Sequence, residues 1–174
     1  MALGLYNVAV PILTAGATEV FSNSPEQTRR LGMQLGELLA PGDVLWLEGD
    51  LGSGKTTLVQ GIAAGWGSAD NVTSPTFVLI NVYRRPGRAQ LAHMDAYRLE
   101  SADDAEQLDL DFQIEQGPLI VEWAPRIAAA LPAEKLRLAL STVDETRRHI
   151  LIEPNGERYQ EIVLAFKAAV YGNQ

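Results

Sequence analysis

The sequence of 174 residues contains no cysteine and no long apolar run. Without cysteine, the chain can form no disulfide, no thiolate metal site and no cysteine nucleophile. No segment reaches the roughly 18 uninterrupted apolar residues that a membrane span needs. The first residues, Met1 to Tyr6, lack the basic start and the apolar block of a secretory signal peptide. These absences predict a cytoplasmic protein with no membrane contact.

Positive charge is also scarce. The 14 lysines and arginines are outnumbered by 22 aspartates and glutamates, which gives a formal net charge of -8. Arginine occurs in pairs at positions 29–30, 84–85 and 147–148, but no basic run is present. Since an acidic chain is repelled by the phosphate backbone unless its basic residues share one face, we expect no tight nucleic-acid contact by this chain alone.

Apolar spacing and turn residues predict helices and strands in mixed order within one domain over residues 1–174. Ser24 and Pro25 are typical of a helix start, and Pro41-Gly42 ends that helix. The pattern predicts helices at 25–40, 55–66, 103–108 and 157–170, and strands at 44–47, 76–83, 91–94, 119–121, 136–140 and 149–152. The turn at 85–87 and the polar turn at 144–145 join strands into hairpins. We predict an α/β fold: a three-layer P-loop NTPase-like domain with a mixed central sheet.

The segment GDLGSGKT, Gly49 to Thr56, has the full pattern of a phosphate-binding loop between a predicted strand and a predicted helix. Its glycines let backbone N–H groups approach phosphate oxygens without a Cβ in the way. The helix begins at Lys55, so its free N–H groups and positive dipole end face the same anion. We expect Lys55 to reach the β- and γ-phosphates and the Thr56 hydroxyl to bind Mg²⁺. The loop alone does not say what the nucleotide is used for.

A P-loop hydrolase also needs an acid near the metal and a group that positions water. Asp95 and Glu122 each follow an apolar strand-like stretch, so each would lie at the carboxyl end of a strand, where α/β sites form. Glu122 is the stronger candidate, because a semi-buried acid needs a partner such as a metal. Structural alternatives stay open: Glu122 could cap a helix at 124–131, and Asp95 could pair with Arg98 at the surface.

Two further motifs follow the helix predicted at 55–66 along the chain. His93 could serve as a base, although a histidine beside a strand is more often structural. In Ser74-Pro75-Thr76, proline holds Ser74 extended and two hydroxyls flank it, in a segment where a γ-phosphate sensor could lie. An ordered turn explains this motif equally well.

Taken in order, these motifs resemble the TsaE family, small bacterial P-loop ATPases required for threonylcarbamoyladenosine formation at position 37 of tRNA. The resemblance runs from about Ser24 to Trp123. It rests on Ser24-Pro25-Glu26-Gln27-Thr28, Gly49 to Thr57, Ser74-Pro75-Thr76-Phe77, His93-Met94-Asp95-Ala96-Tyr97-Arg98-Leu99 and Val121-Glu122-Trp123. Beyond Trp123 only the strand pattern matches, so nucleotide contact by Arg147 or Arg148 and a solvated turn remain alternatives.

The resemblance implies a set of nucleotide contacts. Thr28 would lie on the adenine side of the site, and Ser74 and Thr76 would belong to a mobile switch segment. The loop residues that would contact nucleotide are Gly49, Gly52, Ser53, Gly54, Lys55, Thr56 and Thr57.

The resemblance also implies the chemistry and the partners. Asp95 and Glu122 would complete the Mg²⁺ and water site beside Trp123, with Lys55, Asp95 and Glu122 as the catalytic groups and ATP and Mg²⁺ as cofactors. The protein would bind the TsaD–TsaB complex, in which TsaD carries the threonylcarbamoyl transfer, and would use ATP hydrolysis to sustain turnover. It would meet tRNA only indirectly, through that complex.

Two other functions compete with this interpretation. A small-molecule kinase would close an arginine-bearing lid over its substrate, for which Arg84, Arg85 and Arg88 at the predicted hairpin are the candidates. A non-hydrolysing nucleotide-binding interaction module would lack a functional acid, so Glu122 would be dispensable for it.

Overall fold

A mixed sheet of seven strands runs through the described part of the protein, a computed structural model covering residues 15–87 and 89–172. The amino-terminal segment and Arg88, which entered the predictions above, lie outside the described residues. The strands are β1 (Thr18–Ser22), β2 (Val44–Glu48), β3 (Ile80–Arg84), β4 (Gln90–Asp95), β5 (Leu119–Glu122), β6 (Lys135–Thr142) and β7 (Arg148–Asn155). The helices are α1 (Pro25–Gly36), α2 (Lys55–Trp66), α3 (Ala102–Glu106), α4 (Leu110–Gln116) and α5 (Glu157–Tyr171), with a 3₁₀ helix at Ala124–Ala130.

The strand order is β1-β7-β6-β2-β5-β4-β3. Strands β6, β2, β5 and β4 are parallel to one another, whereas β3 pairs antiparallel with β4 at one edge, and β7 and β1 continue the sheet antiparallel beyond β6 at the other. Because the carboxyl ends of parallel strands meet at one edge, the segments that follow β2, β5 and β4 are neighbours in space. This topology places the phosphate loop beside the two candidate acids.

Helices cover both faces of the sheet. One core packs α1, α2 and α5 against side chains such as Leu45, Leu47 and Ile120. The other packs α3, α4 and the 3₁₀ helix against Leu119 and Val121. The alternation of neighbouring residues between the two cores follows from the two-residue period of a strand. The predicted three-layer α/β fold with a mixed sheet is therefore confirmed. Within the described residues, no helix has the length and apolarity to cross a membrane.

The predicted boundaries that were furthest wrong are the end of α1 and the start of β3. Helix α1 stops at Gly36 rather than residue 40, because the last turn tightens into bonds from Leu38 and Leu39 to carbonyls three residues back. The strand predicted at 76–83 begins only at Ile80. The carbonyl of Pro75 accepts hydrogen bonds from the backbone N–H groups of Val78 and Leu79, and Leu79 has a positive φ of 68°. Residues 76–79 therefore form a turn.

Glycines allow α1 and α2 to pack closely. A Cβ at Gly61 would overlap the carbonyl oxygen of Arg29 and approach the Cα of Gly32 to 2.9 Å. A Cβ at Gly36 would overlap the Ile62 carbonyl oxygen in the same way. Since these obstacles are backbone atoms, an added methyl group can be accommodated only if the helices separate. Close packing against α1 thus holds the helix that begins at the phosphate loop.

We expect Gly61→Ala to lower the free energy of unfolding by about 1–3 kcal/mol, the usual cost of overpacking. Helix propensity alone predicts the opposite sign, because alanine is favoured over glycine by about 1 kcal/mol in a helix interior. Denaturant unfolding of the two proteins measures the difference. A stabilised Gly61→Ala variant would contradict the packing described above.

Candidate functional site

The phosphate loop joins the end of β2 to the start of α2. Gly49, Gly52 and Gly54 have positive φ angles of 147°, 80° and 102°. A Cβ at Gly49 would also lie 2.5 Å from Ser53 Oγ and 2.6 Å from the Leu140 carbonyl oxygen. The loop can therefore take this path only with glycine at these positions. It delivers the chain into α2 with the free N–H groups of the helix at the loop.

Lys55 lies across the loop. Its Nζ donates to the carbonyl oxygens of Gly49, at 2.7 Å, and Asp50, at 3.1 Å. The same Nζ lies 3.8 Å from Glu122 Oε2. The ammonium group is thus held between the phosphate loop and the end of β5, where it can attract an anionic ligand to the loop.

Asp95 and Glu122 end the neighbouring strands β4 and β5 and are directly paired in register. Both are buried, with 6% and 5% of their surface exposed. Asp95 Oδ1 accepts a hydrogen bond from the Tyr97 backbone N–H at 2.9 Å. The structure thus brings the two predicted acids together at the carboxyl edge of the sheet, next to Lys55.

The structure does not fit the two structural alternatives, in which Glu122 caps a helix and Asp95 is a surface carboxylate. The 3₁₀ helix at 124–130 receives no side-chain cap, and its first flanking residue is Trp123 rather than Glu122. Glu122 Oε1 instead forms a hydrogen bond of 3.0 Å with Nε2 of His93, which is fully buried. Asp95 is not a surface carboxylate, because it is buried beside the cleft.

A cleft of about 750 Å³ opens over the phosphate loop. It collects most of the predicted site residues: Gly49, Gly52, Gly54, Lys55, Thr56, Thr57, Ser74, Thr76, Asp95 and Glu122. Ser53 is buried beneath the loop, where its N–H donates to the Asp50 carbonyl, so it supports the loop rather than lining the cleft.

Thr28 lies next to this cleft and not in it. It lines a small adjoining pocket of about 40 Å³ that shares Gly54, Thr57 and Arg148 with the cleft. Its hydroxyl bonds to the Ser24 carbonyl oxygen at 3.2 Å and to Ser22 Oγ at 2.5 Å. Thr28 therefore fixes the start of α1 at the edge of the site, and direct contact with adenine stays a prediction.

The predicted switch segment crosses the cleft wall. Ser74 Oγ and Thr76 Oγ1 share a hydrogen bond of 2.8 Å. Just before them, the Thr73 carbonyl accepts bonds from the Tyr83 hydroxyl at 2.9 Å and from Asn81 Nδ2 at 3.0 Å. Burial raises the pKa of Tyr83, so this hydroxyl stays protonated and donates over the neutral range. The two switch hydroxyls, of Ser74 and Thr76, therefore come just after a residue whose carbonyl is held by two hydrogen bonds.

Sequence reasoning left the roles of Arg147 and Arg148 open, and the structure separates them. Arg147 pairs with Asp144 in the β6–β7 turn, and its backbone and side-chain hydrogen bonds lower the pKa of Asp144 to about 2. Arg148 reaches the phosphate loop and donates to the Gly52 carbonyl at 3.3 Å, as well as to the Asp144 carbonyl at 2.9 Å. Arg148 therefore joins this turn to the loop and lines the cleft.

Aromatic side chains stand at the mouth of the cleft. Tyr97 and Trp123 are half exposed, and their ring centroids lie 5.1 Å apart. Trp123 was expected beside the site, whereas Tyr97 was missed as a site residue. Its position two residues after Asp95 was the available signal, because the loop that leaves β4 must pass the same sheet edge.

The cleft has the donor chemistry for Mg²⁺ and a nucleotide. Thr56, Asp95 and Glu122 supply oxygen atoms, which Mg²⁺ prefers, and the glycine loop leaves room for a phosphate. Among the described residues, no group of three or more His, Cys, Asp or Glu side chains could hold a metal ion. Mg²⁺ keeps several of its waters and takes one or two carboxylates together with phosphate oxygens.

Another cavity, of about 490 Å³, lies between α3, α4 and the 3₁₀ helix. It is lined by Asp103, Glu106, Asp109 and Asp111. Four carboxyl groups repel a phosphate, so this cavity does not compete with the loop as a nucleotide site.

Of the arginines proposed for a kinase lid, the two that the structure describes, Arg84 and Arg85, do not line the cleft. The Arg85 guanidinium stacks on Trp66 at 3.5 Å from the ring centroid and donates to the Trp66 carbonyl at 3.2 Å. Arg84 is exposed at the end of β3, where its backbone N–H bonds to Asp70. Both side chains lie outside the cleft lining.

Comparison with known proteins places this site in a family. The model of the family described as "Threonylcarbamoyl adenosine biosynthesis protein TsaE" matches residues 22–150. Proteins called tRNA threonylcarbamoyladenosine biosynthesis protein TsaE are 42% identical in Bacillus subtilis, covering 79% of this chain and 85% of theirs, and 41% identical in Streptomyces coelicolor, covering 75% and 93%.

The fold agrees with the sequence comparison. The crystal structure of Bacillus subtilis YdiB superposes with a TM-score of 0.75 at 34% sequence identity, over 88% of this chain and 96% of that one. The family match includes the phosphate loop, both acids and the switch hydroxyls, all within residues 22–150. The chain belongs to the TsaE family of threonylcarbamoyl adenosine biosynthesis proteins.

Proposed function

We propose that this protein is a partner-dependent ATPase that takes part in threonylcarbamoyladenosine formation at position 37 of tRNA. It binds ATP with Mg²⁺ in the cleft over the phosphate loop and hydrolyses it to sustain turnover of the TsaD–TsaB complex. The observation that carries the proposal is the convergence of Lys55, Asp95 and Glu122 at the phosphate loop. The names of the relatives, which refer to tRNA threonylcarbamoyladenosine biosynthesis, support the pathway.

Each residue has a distinct task in this mechanism. The loop and Lys55 bind the β- and γ-phosphates, and the Thr56 hydroxyl and Asp95 would hold Mg²⁺. When bound, Mg²⁺ neutralises charge on the phosphate oxygens. Glu122 faces the same space from β5, where its carboxylate can orient the attacking water and accept its proton. Ser74 and Thr76, which line the same cleft, would sense the γ-phosphate.

The surroundings of the cleft support dependence on a partner. Leu51 is fully exposed on the loop, and Phe77 on the switch segment is 89% exposed. Leu51, Tyr97 and Trp123 line the cleft, and Phe77 follows Thr76 of the cleft lining along the chain. Exposed apolar side chains grouped at a cleft mark protein contact sites. Of the described residues that line the cleft, only Lys55 and Arg148 are cationic, so a partner could add to the stabilisation of transition-state charge.

Measuring ATP hydrolysis with and without the TsaD–TsaB complex tests the proposal. We expect slow phosphate release by the protein alone and an increase of about tenfold or more with the complex, on the scale of one added transition-state contact. Multiple-turnover modification of tRNA should depend on the protein in the same reaction. A protein that binds no ATP, or that leaves the yield of modified tRNA unchanged, would refute the proposal.

Replacing Asp95 by asparagine should raise the Mg²⁺ concentration for half-maximal hydrolysis by about tenfold or more, because one anionic oxygen is lost from the metal site. Titration of Mg²⁺ at fixed ATP measures the shift. Asp103→Asn makes the same change of charge at the remote acidic cavity and should leave the titration unchanged. Equal Mg²⁺ dependence of the two variants would exclude Asp95 from the metal site.

A further inference from the structure

A hydrogen bond joins the buried His93 to Glu122, and the proposed mechanism assigns no role to His93. His93 lies on β4 and is completely buried, and its Nε2 is 3.0 Å from Glu122 Oε1. Residues 91, 93 and 95 of β4 share one face of the sheet, as do residues 120 and 122 of β5. His93 and Glu122 therefore meet on the face of the sheet to which Leu91 and Ile120 also belong.

The two oxygens of the Glu122 carboxylate have different surroundings. Oε1 is occupied by the imidazole of His93. Oε2 faces the site, 3.8 Å from Lys55 Nζ, which is beyond hydrogen-bond distance. The imidazole bond therefore fixes the rotation of the carboxylate. Without it, the carboxylate can turn toward Lys55 and form a closer ion pair, which draws both groups away from the phosphate and the water.

His93 cannot itself be the base. Its side chain has no exposed surface, and its ring lies outside the cleft lining. Its other nitrogen, Nδ1, faces the interior and has no hydrogen-bond partner among the described residues. Tyr83 packs nearby, with the two ring centroids 6.4 Å apart, and helps to hold the ring in place.

We infer that His93 is a positioning residue that orients Glu122 toward the attacking water through the bond from Nε2 to Oε1. The inference rests on the proposed ATPase function. It assigns His93 an effect on turnover and none on ATP affinity, because among the described residues the ring reaches the site only through Glu122 and is itself absent from the cleft lining.

A matched pair of variants tests this inference. In His93→Gln, the amide nitrogen can occupy the place of Nε2 and donate to Oε1. In His93→Asn, the side chain is equally polar but too short to reach it. We expect His93→Asn to lower kcat for ATP hydrolysis by about tenfold, less than the roughly 100-fold or greater cost of losing an acid–base group, because Glu122 itself remains. The ATP Kd should stay within about twofold of wild type. His93→Gln should recover most of the lost kcat.

Thermal unfolding of both variants separates this effect from a structural one, because both lose the imidazole ring. Equal kcat for the two variants, or a loss of kcat that follows the loss of ATP affinity, would overturn the positioning role. If wild-type protein hydrolyses no ATP even with its partners, the proposed function fails as well. If the wild type hydrolyses ATP and His93→Asn has the same kcat, this inference is refuted and the proposed function still stands.

Discussion

Lys55→Ala is expected to lower kcat/KM for ATP hydrolysis by about 100- to 1000-fold, the effect of removing one pre-organised contact to the transferring phosphate. In the structure, the ammonium group is held over the loop by the carbonyls of Gly49 and Asp50 and lies next to Glu122. Alanine removes the charge that balances the phosphates. The loss should therefore appear in ATP affinity as well as in turnover.

Equilibrium binding of ATP and phosphate release under steady-state conditions measure the two effects. Lys167→Ala, a lysine on α5 that lies outside the cleft lining, is the matched control and should behave as wild type. We expect Lys55→Ala to remain folded, because Glu122 keeps its bond to His93. If Lys55→Ala supports tRNA modification as well as wild type does, nucleotide use by this cleft is not part of the pathway.

Glu122→Gln is expected to separate hydrolysis from binding. The substitution keeps the shape of the side chain and leaves an amide oxygen that can accept the bond from His93. It removes the negative charge that orients water and accepts its proton, so kcat should fall by about 100- to 10,000-fold. The ATP Kd should stay within a few-fold of wild type, because the loop and Lys55 are unchanged.

Single-turnover hydrolysis with radiolabelled ATP, together with ATP binding, distinguishes the competing functions. A non-hydrolysing interaction module predicts no difference between wild type and Glu122→Gln. A small-molecule kinase predicts phosphorylated metabolite in excess of free phosphate in a metabolite screen with wild type. Slow hydrolysis by wild type and its loss in Glu122→Gln would agree with the ATPase.

The sequence was most informative where local chemistry determines the backbone. The glycines of the phosphate loop permit only a narrow set of paths, so Gly49 to Thr56 could be identified as a loop between a strand and a helix. Apolar runs that end in an acid placed Asp95 and Glu122 at the ends of strands, and parallel pairing then brought them together.

The elements that were missed depend on tertiary contacts. Strand β1 is only five residues long and is held by antiparallel pairing with β7, a partner about 130 residues further along the chain. Helix α4 begins at Leu110, and the preceding residue, Asp109, has a positive φ of 48° and provides no side-chain cap, so the usual start signal is absent. Local patterns cannot reveal such elements, because their stability comes from distant neighbours.

The same limit applied to side chains of the site. Arg147 and Arg148 are equivalent in sequence, and only the fold of the β6–β7 turn sends one to Asp144 and the other to Gly52. For His93 the sequence left a base and a structural residue as alternatives, and its complete burial favours the structural one. Its bond to Glu122 depends on the register of β4 against β5, which no local pattern encodes.

We propose that ATP hydrolysis in this cleft, and not ATP binding alone, sustains modification by the TsaD–TsaB complex. The most direct test counts the threonylcarbamoyladenosine formed per TsaD–TsaB complex with excess tRNA, threonylcarbamoyl donor and ATP, in the presence of wild type or Glu122→Gln. We predict many modified tRNAs per complex with wild type and about one or fewer with the variant. Equal yields, with the variant confirmed to bind ATP and not to hydrolyse it, would contradict the claim.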